Sequence, residues 1–403
     1  MEQALMMNPI RRVRPLALLV ATTMLAALPA MAQAPSGTGP VLTKVASFEH
    51  QVTGVTVSPE GRIFVNFPRW TEDSAVSVAE VKDGRLVPFP DEGWNGWRNA
   101  RRDEVSAGDH WVCVQSVVAD RQGNLWVLDP AAPAMGAIVK GGPKLVAIDL
   151  KTNTPTRTIA FDETVAPQGS YLNDVRFSPD GRTAYLTDSG ARGALIVLDV
   201  ESGKARRVLD GHPSTQADPA VTVTYDGRPL RRPDGRGVEF AADGIALSAD
   251  GKTLYWQAIK GRTLYSIPTE ALAGGLATAL LPTALAGDPA SKIERVGDNG
   301  PADGLIVSRR DGRLYVTSPQ DDAIKVRDLS AKDSPLATLI QDKRLRWPDT
   351  FGEGPDGTLY VTTSRIQDSA FYKPDAPAAL PTDLWSFKPN AAEATGSAVP
   401  PAR

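Results

Sequence analysis

The stretch "SPDGRTAYLTD" (178–188) decides the fold, because the chain repeats it. Pro179-Asp180-Gly181 is a turn cluster, and Ala184, Tyr185 and Leu186 begin an apolar run behind it. Five other stretches have the same form: "SPEGRIFVNF" (58–67), "ADRQGNLWVLD" (119–129), "SADGKTLYWQA" (248–258), "SRRDGRLYVTS" (308–318) and "GPDGTLYVTTS" (354–364). Each has a turn glycine, at Gly61, Gly123, Gly181, Gly251, Gly312 and Gly357. An aromatic follows three or four residues later, at Phe64, Trp126, Tyr185, Tyr255, Tyr315 and Tyr360. Glycine supplies the positive φ of a tight hairpin turn, and an aromatic on the strand after it packs against a neighbouring sheet.

A third strand is expected downstream of each copy: "SAVSVAE" (74–80), "KLVAIDL" (144–150), "ALIVLDV" (194–200), "TLYSIPT" (263–269), "AIKVRDL" (323–329) and "DLWSFKP" (383–389). The turn glycines recur at intervals of 45 to 70 residues, which suits a four-stranded blade with long loops. The expectation is an all-β protein, a six-bladed β-propeller of four-stranded antiparallel blades over residues 41–390. The segment "VLTKVASF" (41–48) is expected to complete the last blade and close the ring. A β-sandwich or a two-domain chain is the alternative, but six copies of one pattern with no linker between them argue for one ring. The only helical pattern of note, "TEALAGGLATALL" (269–281), is weakened by Gly274-Gly275.

The ends read differently. Arg11, Arg12 and Arg14 precede a short apolar run, Leu16 to Leu28, and Ala30-Met31-Ala32 fits signal cleavage, so residues 1–32 read as a signal peptide. An uncleaved membrane anchor is the alternative. Residues 33–40 read as a flexible linker and 391–403 as a disordered Ala/Pro-rich tail. The expected location is therefore periplasmic or extracellular, off the membrane once the signal is cut. With 44 basic against 47 acidic residues, nothing in the charge favours a nucleic-acid partner. Cys113 is the single cysteine, so no internal disulfide can form; among Trp111, Val112 and Val114 it reads as a buried structural thiol.

In a propeller the innermost strand of each blade lines the central channel. Aligned on the turn glycines, the lead-in positions of those strands are Thr53, Gln115, Asn173, Asp243, Asp303 and Asp349. Five blades in succession thus offer an amide or carboxylate at one level, and the glycines after Asp243 and Asp303 permit close backbone approach near the axis. Converging carboxylates repel, so they must be solvated, protonated or paired with a cation. Two readings stand: a site for a hard cation, calcium above all, on Asn173, Asp243 and Asp303, or a water-filled channel with a polar rim. Strand alternation turns Asp174 away from the axis if Asn173 faces it.

A second feature is aromatic and basic. "FPRW" (67–70), "GWNGWRNARR" (93–102) and Trp111 hold four of the eight tryptophans with Arg69, Arg98, Arg101 and Arg102. They form either a lid over the channel mouth, with Arg69 and Trp70 facing a planar or anionic small molecule, or blade packing. Residues 210–237 read as a loop with a small hairpin, and His212 within them as a loop residue. His50, His110 and His212 have no metal-ligand spacing, and no nucleophile elbow, P-loop or dinucleotide fingerprint occurs. Asp188 and Ser189 lie just past a strand, where the next turn begins.

Taken in order, "GRIFVNFPRW", "VCVQSVVADRQGNLWVLD", "YLNDVRFSPDGRTAYLTDSGARGALIVLD", "DGIALSADGKTLYWQAI" and "LYVTTSRIQD" resemble the major royal jelly / yellow protein family, with its bacterial members described as L-dopachrome tautomerase-related. The resemblance spans roughly residues 50 to 370. It implies a secreted six-bladed propeller, a small aromatic or amine-like ligand in the channel, and for some members a dopachrome-converting activity. The insect members carry disulfides, which this chain lacks. More distantly, Asn173 and Asp243 resemble the gluconolactonase / senescence-marker propellers, which imply a channel calcium and lactone hydrolysis. Those enzymes add an N-terminal glutamate, where this chain has Thr53 with Glu49 and Glu60 only nearby. Three functions follow as expectations: a small-molecule binder with or without tautomerase activity, a calcium-dependent lactonase, or a non-enzymatic interaction scaffold.

Overall fold

All six turn glycines adopt positive φ, from +70° at Gly312 to +86° at Gly123, and each reverses the chain from an innermost strand into the second strand of its blade. The computed structural model describes residues 39–71, 73–273, 288–376 and 379–389. The stretches read as a signal peptide (1–32) and a tail (391–403), most of the stretch read as a linker (33–40), and the second half of 269–281 lie outside these residues. Of the helical stretch, Thr269–Ala273 is described and is an α-helix. Among the described residues, no helix is long and apolar enough to cross a membrane.

The strands form six four-stranded antiparallel sheets and one two-stranded hairpin. The innermost strands are Val55–Val57, Ser116–Ala119, Leu172–Phe177, Ala242–Leu247, Leu305–Val307 and Pro348–Glu353. The second strands are Ile63–Asn66, Asn124–Asp129, Thr183–Asp188, Thr253–Ala258, Leu314–Ser318 and Leu359–Thr363. The chain is the six-bladed β-propeller that the repeat implies. Thr43–Phe48 pairs with Thr382–Phe387 and supplies the outer strand of the last blade, so both chain ends share one sheet. Thr382 ties this closure further, accepting from Val52 N at 3.2 Å and donating to His50 O at 2.6 Å. The third strand of the first blade starts later than its pattern suggests, at Val78, because Ser74 and Val76 make a local turn.

The core is divided into layers. Six apolar clusters fill the seams between blades, and the repeat aromatics Phe64, Trp126, Tyr185 and Tyr315 are buried in them. A seventh lies over one end of the channel and draws on loops from around the ring: Trp70, Trp97, Tyr171, Tyr225, Phe240 and Trp347 belong to it.

Polar contacts near the axis also run from blade to blade. Thr187 Oγ1 donates to Asp243 O at 2.7 Å, and Thr362 Oγ1 donates to Thr53 O at 2.5 Å. Two glycines stand where no side chain fits. A Cβ on Gly244 would sit 2.1 Å from Asp303 O, and one on Gly304 would sit 2.0 Å from Asp349 O. Gly304→Ala must therefore push two inner strands apart, at about 1–3 kcal/mol. We expect chemical denaturation to show that loss, and an unchanged midpoint would mean that the ring tolerates the spacing.

Candidate functional site

At the lead-in end of the inner strands, Gln115, Asn173, Asp243, Asp303 and Asp349 line one small chamber with Trp70, Tyr171, Ser189, Phe240, Ile259 and Ile366. Three of these side chains, Asn173, Asp243 and Asp349, sit at register breaks of the inner strands. The ladder slips between Leu172 and Val175, between Ala242 and Gly244, and between Pro348 and Phe351. Such bulges re-aim side chains at the rim of a sheet.

Asn173 Nδ2 donates to Asp243 Oδ1 at 2.6 Å, and Trp347 Nε1 donates to Asp303 Oδ2 at 2.7 Å. Thr350 Oγ1 bonds Asp349 Oδ1 at 3.0 Å. The Asp243 and Asp303 carboxyls influence each other's ionisation directly, as neighbouring acids in one buried chamber do. Among the described residues, no lysine, arginine or histidine forms an ion pair with Asp243, Asp303 or Asp349. Burial holds the Asp243 carboxyl well above the usual carboxylate range, and the charges of Asp303, Asp349 and Asp174 add to it. Burial raises Asp349 in the same way, and Asp303 is pushed up to about 6, again mainly by burial.

The donor set is all oxygen and amide, which suits a hard cation. The free volume at the centre is about 10 Å³, room for one water or one ion. Among the described residues, no three or more His, Cys, Asp or Glu side chains stand at ligand geometry.

The roof is aromatic. Trp70 Nε1 donates to Tyr171 Oη at 2.5 Å, and Tyr171 Oη donates to Gln115 Oε1 at 3.0 Å. The insertion at 210–237 braces this roof from the far side. Its hairpin, Thr224–Tyr225 with Arg228–Pro229, reaches the fifth and sixth blades: Thr224 N donates to Gln320 Oε1 at 2.7 Å, and Tyr225 stacks on Trp347 at 6.3 Å. The Tyr225 hydroxyl also bonds the Asp322 carboxylate.

A sequence profile of the major royal jelly proteins matches residues 112–377, about two thirds of the chain. The chain belongs to the major royal jelly protein family. A lactonohydrolase of Aspergillus oryzae, oryL, is 29% identical over 152 residues, 36% of this chain and 33% of that protein; the chain thus matches about one third of that relative's length. Two solved propellers share the fold. A calcium-binding protein, regucalcin, of Agrobacterium tumefaciens superposes with a TM-score of 0.51 at 16% identity, over 88% of this chain and 95% of that one. A gluconolactonase of Xanthomonas campestris gives 0.50 at 12% identity, over 87% and 90%.

Within this royal jelly family propeller, three expectations need correcting. Arg69 does not face the channel. It is buried, and its guanidinium donates to Ser74 O, Trp111 O, Val112 O and Asn95 O, between 2.5 and 3.1 Å. Burial pushes it down to about 10. An arginine spent on four carbonyls holds the insertion in place and has little left for a ligand. Asp174 does not turn away: the bulge beside it breaks the alternation, and it lies one layer deeper in the channel, paired with Arg176 at 2.9 Å. Ser189 is more than a turn residue, since it lines the chamber wall.

The tryptophan cluster divides between both readings. Trp70 and Trp97 join the roof, and Trp94 packs on Trp111 at 4.4 Å between blades. Sequence reasoning missed Tyr171, Phe240 and Ile259. One signal was available: Ser189 and Ile259 each follow the last residue of a second strand, so that position faces the mouth in two consecutive blades. Cys113 and His212 have the structural roles expected of them. Burial pushes the Cys113 thiol up to about 12, and His212 Nδ1 accepts from Ser214 N at 3.1 Å.

Proposed function

We propose that this exported propeller holds one calcium ion on Asn173, Asp243, Asp303 and Asp349, once these side chains turn to a common centre, and hydrolyses a small lactone or related ester there when the roof opens. The observation that supports this most is the set of three buried carboxylates without a basic partner. A buried charge cluster of one sign is costly unless a cation or protons neutralise it. A bound divalent cation would act as a Lewis acid toward a carbonyl oxygen. The chain's own groups do the rest. Asn173 and Trp347 orient the carboxyls, the Trp70–Tyr171 roof covers the chamber and, when open, admits substrate and the water that attacks its carbonyl, and Gln115 offers an amide to a substrate's polar edge. The lactonohydrolase relative supports the substrate class, and the regucalcin likeness bears on the fold alone.

The aromatic roof favours a second reading, in which a small amine places its ammonium on the carboxylates under Trp70 and Phe240. That accords with the ligand class expected for the family, and a tautomerase activity would belong to it. The chamber as it stands has room for an ion and none for a ring, so this reading, like the lactone reading, requires the roof to open.

Metal analysis and titration calorimetry separate the two. We expect calcium to bind at one site per chain and activity on a panel of small lactones to vanish in chelator. Binding of tryptamine or dopamine with no calcium response would overturn the hydrolase reading and support the second.

A further inference from the structure

The opposite end of the channel is open and built differently. Each blade contributes an apolar residue to a funnel there: Val57, Val117, Phe177, Leu247, Ile306 and Phe351. Its cavity measures about 180 Å³, enough for roughly six to ten non-hydrogen atoms, since a benzene-binding cavity is about 150 Å³.

Arg176 forms the floor. Its guanidinium reaches from the third blade to the fifth, donating to Leu305 O at 3.1 Å and to Val175 O at 2.8 Å, and pairs with Asp174 at 2.9 Å. This bridge separates the funnel from the carboxylate chamber. Those contacts use three of the five N–H donors of an arginine.

The carboxylates around the funnel are already satisfied. Asp174 also accepts from Ser116 Oγ at 2.6 Å and Val175 N at 2.9 Å. Asp120 accepts from Gln122 N, Asn124 N, Asn124 Nδ2 and Trp126 Nε1, all within 2.8 Å. Glu353 is held by Ser308 and Arg309. Arg121 at the rim is exposed and forms no ion pair among the described residues. The unspent capacity is therefore cationic and donor-type, at the floor and at the rim, around an apolar wall.

We propose that this funnel is a second binding site, for a small apolar monocarboxylate of about one ring's size. The ring would lie against Phe177, Leu247 and Phe351, with the carboxylate toward Arg121 at the rim. The site is independent of any cation in the chamber.

The test uses the full mature chain with benzoate, benzyl alcohol and benzylamine as probes, read by calorimetry and ligand-detected NMR. Benzoate is expected to bind, and benzylamine at least tenfold more weakly. Leu247→Trp, which fills the funnel, should abolish benzoate binding. Arg121→Glu, a surface change with no core contact to disturb, should weaken it several-fold. Asp243→Asn, in the other chamber, should leave it unchanged. The proposal fails if benzoate does not bind, if benzylamine binds as well, if a folded Leu247→Trp or Arg121→Glu binds like the parent, or if Asp243→Asn removes the binding.

Discussion

Truncating Asp129 to alanine should destabilise the propeller by about 3–5 kcal/mol, the cost of leaving a buried charge without its partner. Asp129 closes the second strand of blade two and is fully buried. Its carboxylate accepts from Val112 N at 2.7 Å, Cys113 N at 2.9 Å, Ala131 N at 2.9 Å and Lys144 Nζ at 3.0 Å. Lys144 is 1% exposed and otherwise donates only to Ala107 O and Gly142 O. Burial is the main cause holding the Lys144 ammonium below its ordinary range, and Asp129 opposes that. Without Asp129 the ammonium loses its counter-charge and three backbone N–H groups lose their acceptor. The same loop carries Trp111 and the carbonyls that hold Arg69, so the roof should loosen with it. Lys144→Met should cost less, because the carboxylate keeps its three N–H donors. Urea denaturation of both variants checks the order; a loss below 1 kcal/mol for Asp129→Ala would refute the account.

Asp243→Asn should do the opposite in chelator. Asparagine keeps the shape and still accepts from Asn173, but removes one charge from the cluster. Removing that charge relieves the repulsion among the buried carboxylates, so a higher Tm than the parent is expected near pH 7.5. The sign follows from linkage. The folded-state pKa values of Asp243, Asp303 and Asp349 are raised, so the native state holds protons that the unfolded chain releases. The stabilising contribution is complete below the ordinary carboxylate pKa of about 4 and is lost as pH rises through about 6 for Asp303, with Asp243 and Asp349 shifted in the same direction. The metal-free parent should therefore lose stability between pH 5 and 7.5, and the variant should lose less. Calcium should reverse the comparison, stabilising the parent by about 2.7 kcal/mol at a hundredfold excess over Kd and leaving the variant unmoved. Thermal melts across pH with calcium or chelator check each point. A lower Tm for the variant in chelator, or an undiminished calcium response, would count against the cluster as described.

The repeat at 178–188 carried most of the fold. One turn glycine and one aromatic per copy set blade number, strand order and ring closure, because a blade is a local meander whose pattern is written in consecutive residues. The same register placed Gln115, Asn173, Asp243, Asp303 and Asp349 in one chamber, since equivalent positions in equivalent blades share a height along the axis. The glycines after Asp243 and Asp303 were readable for the same reason.

What lay beyond local pattern was decided by the tertiary structure. A bulge displaces strand alternation by one residue, and it turned Asp174 inward beside Asn173. Loop paths between blades buried Arg69 among carbonyls 5 to 43 residues away, and set Tyr171, Ser189 and Phe240 around the carboxylates. The amide-and-carboxylate level was legible in the sequence. Whether a counter-charge met it was not, because pairing depends on which side chains reach the axis from six separate blades. Arg176 reaches it one layer too deep, and Asp243, Asp303 and Asp349 are left to share protons or hold a cation.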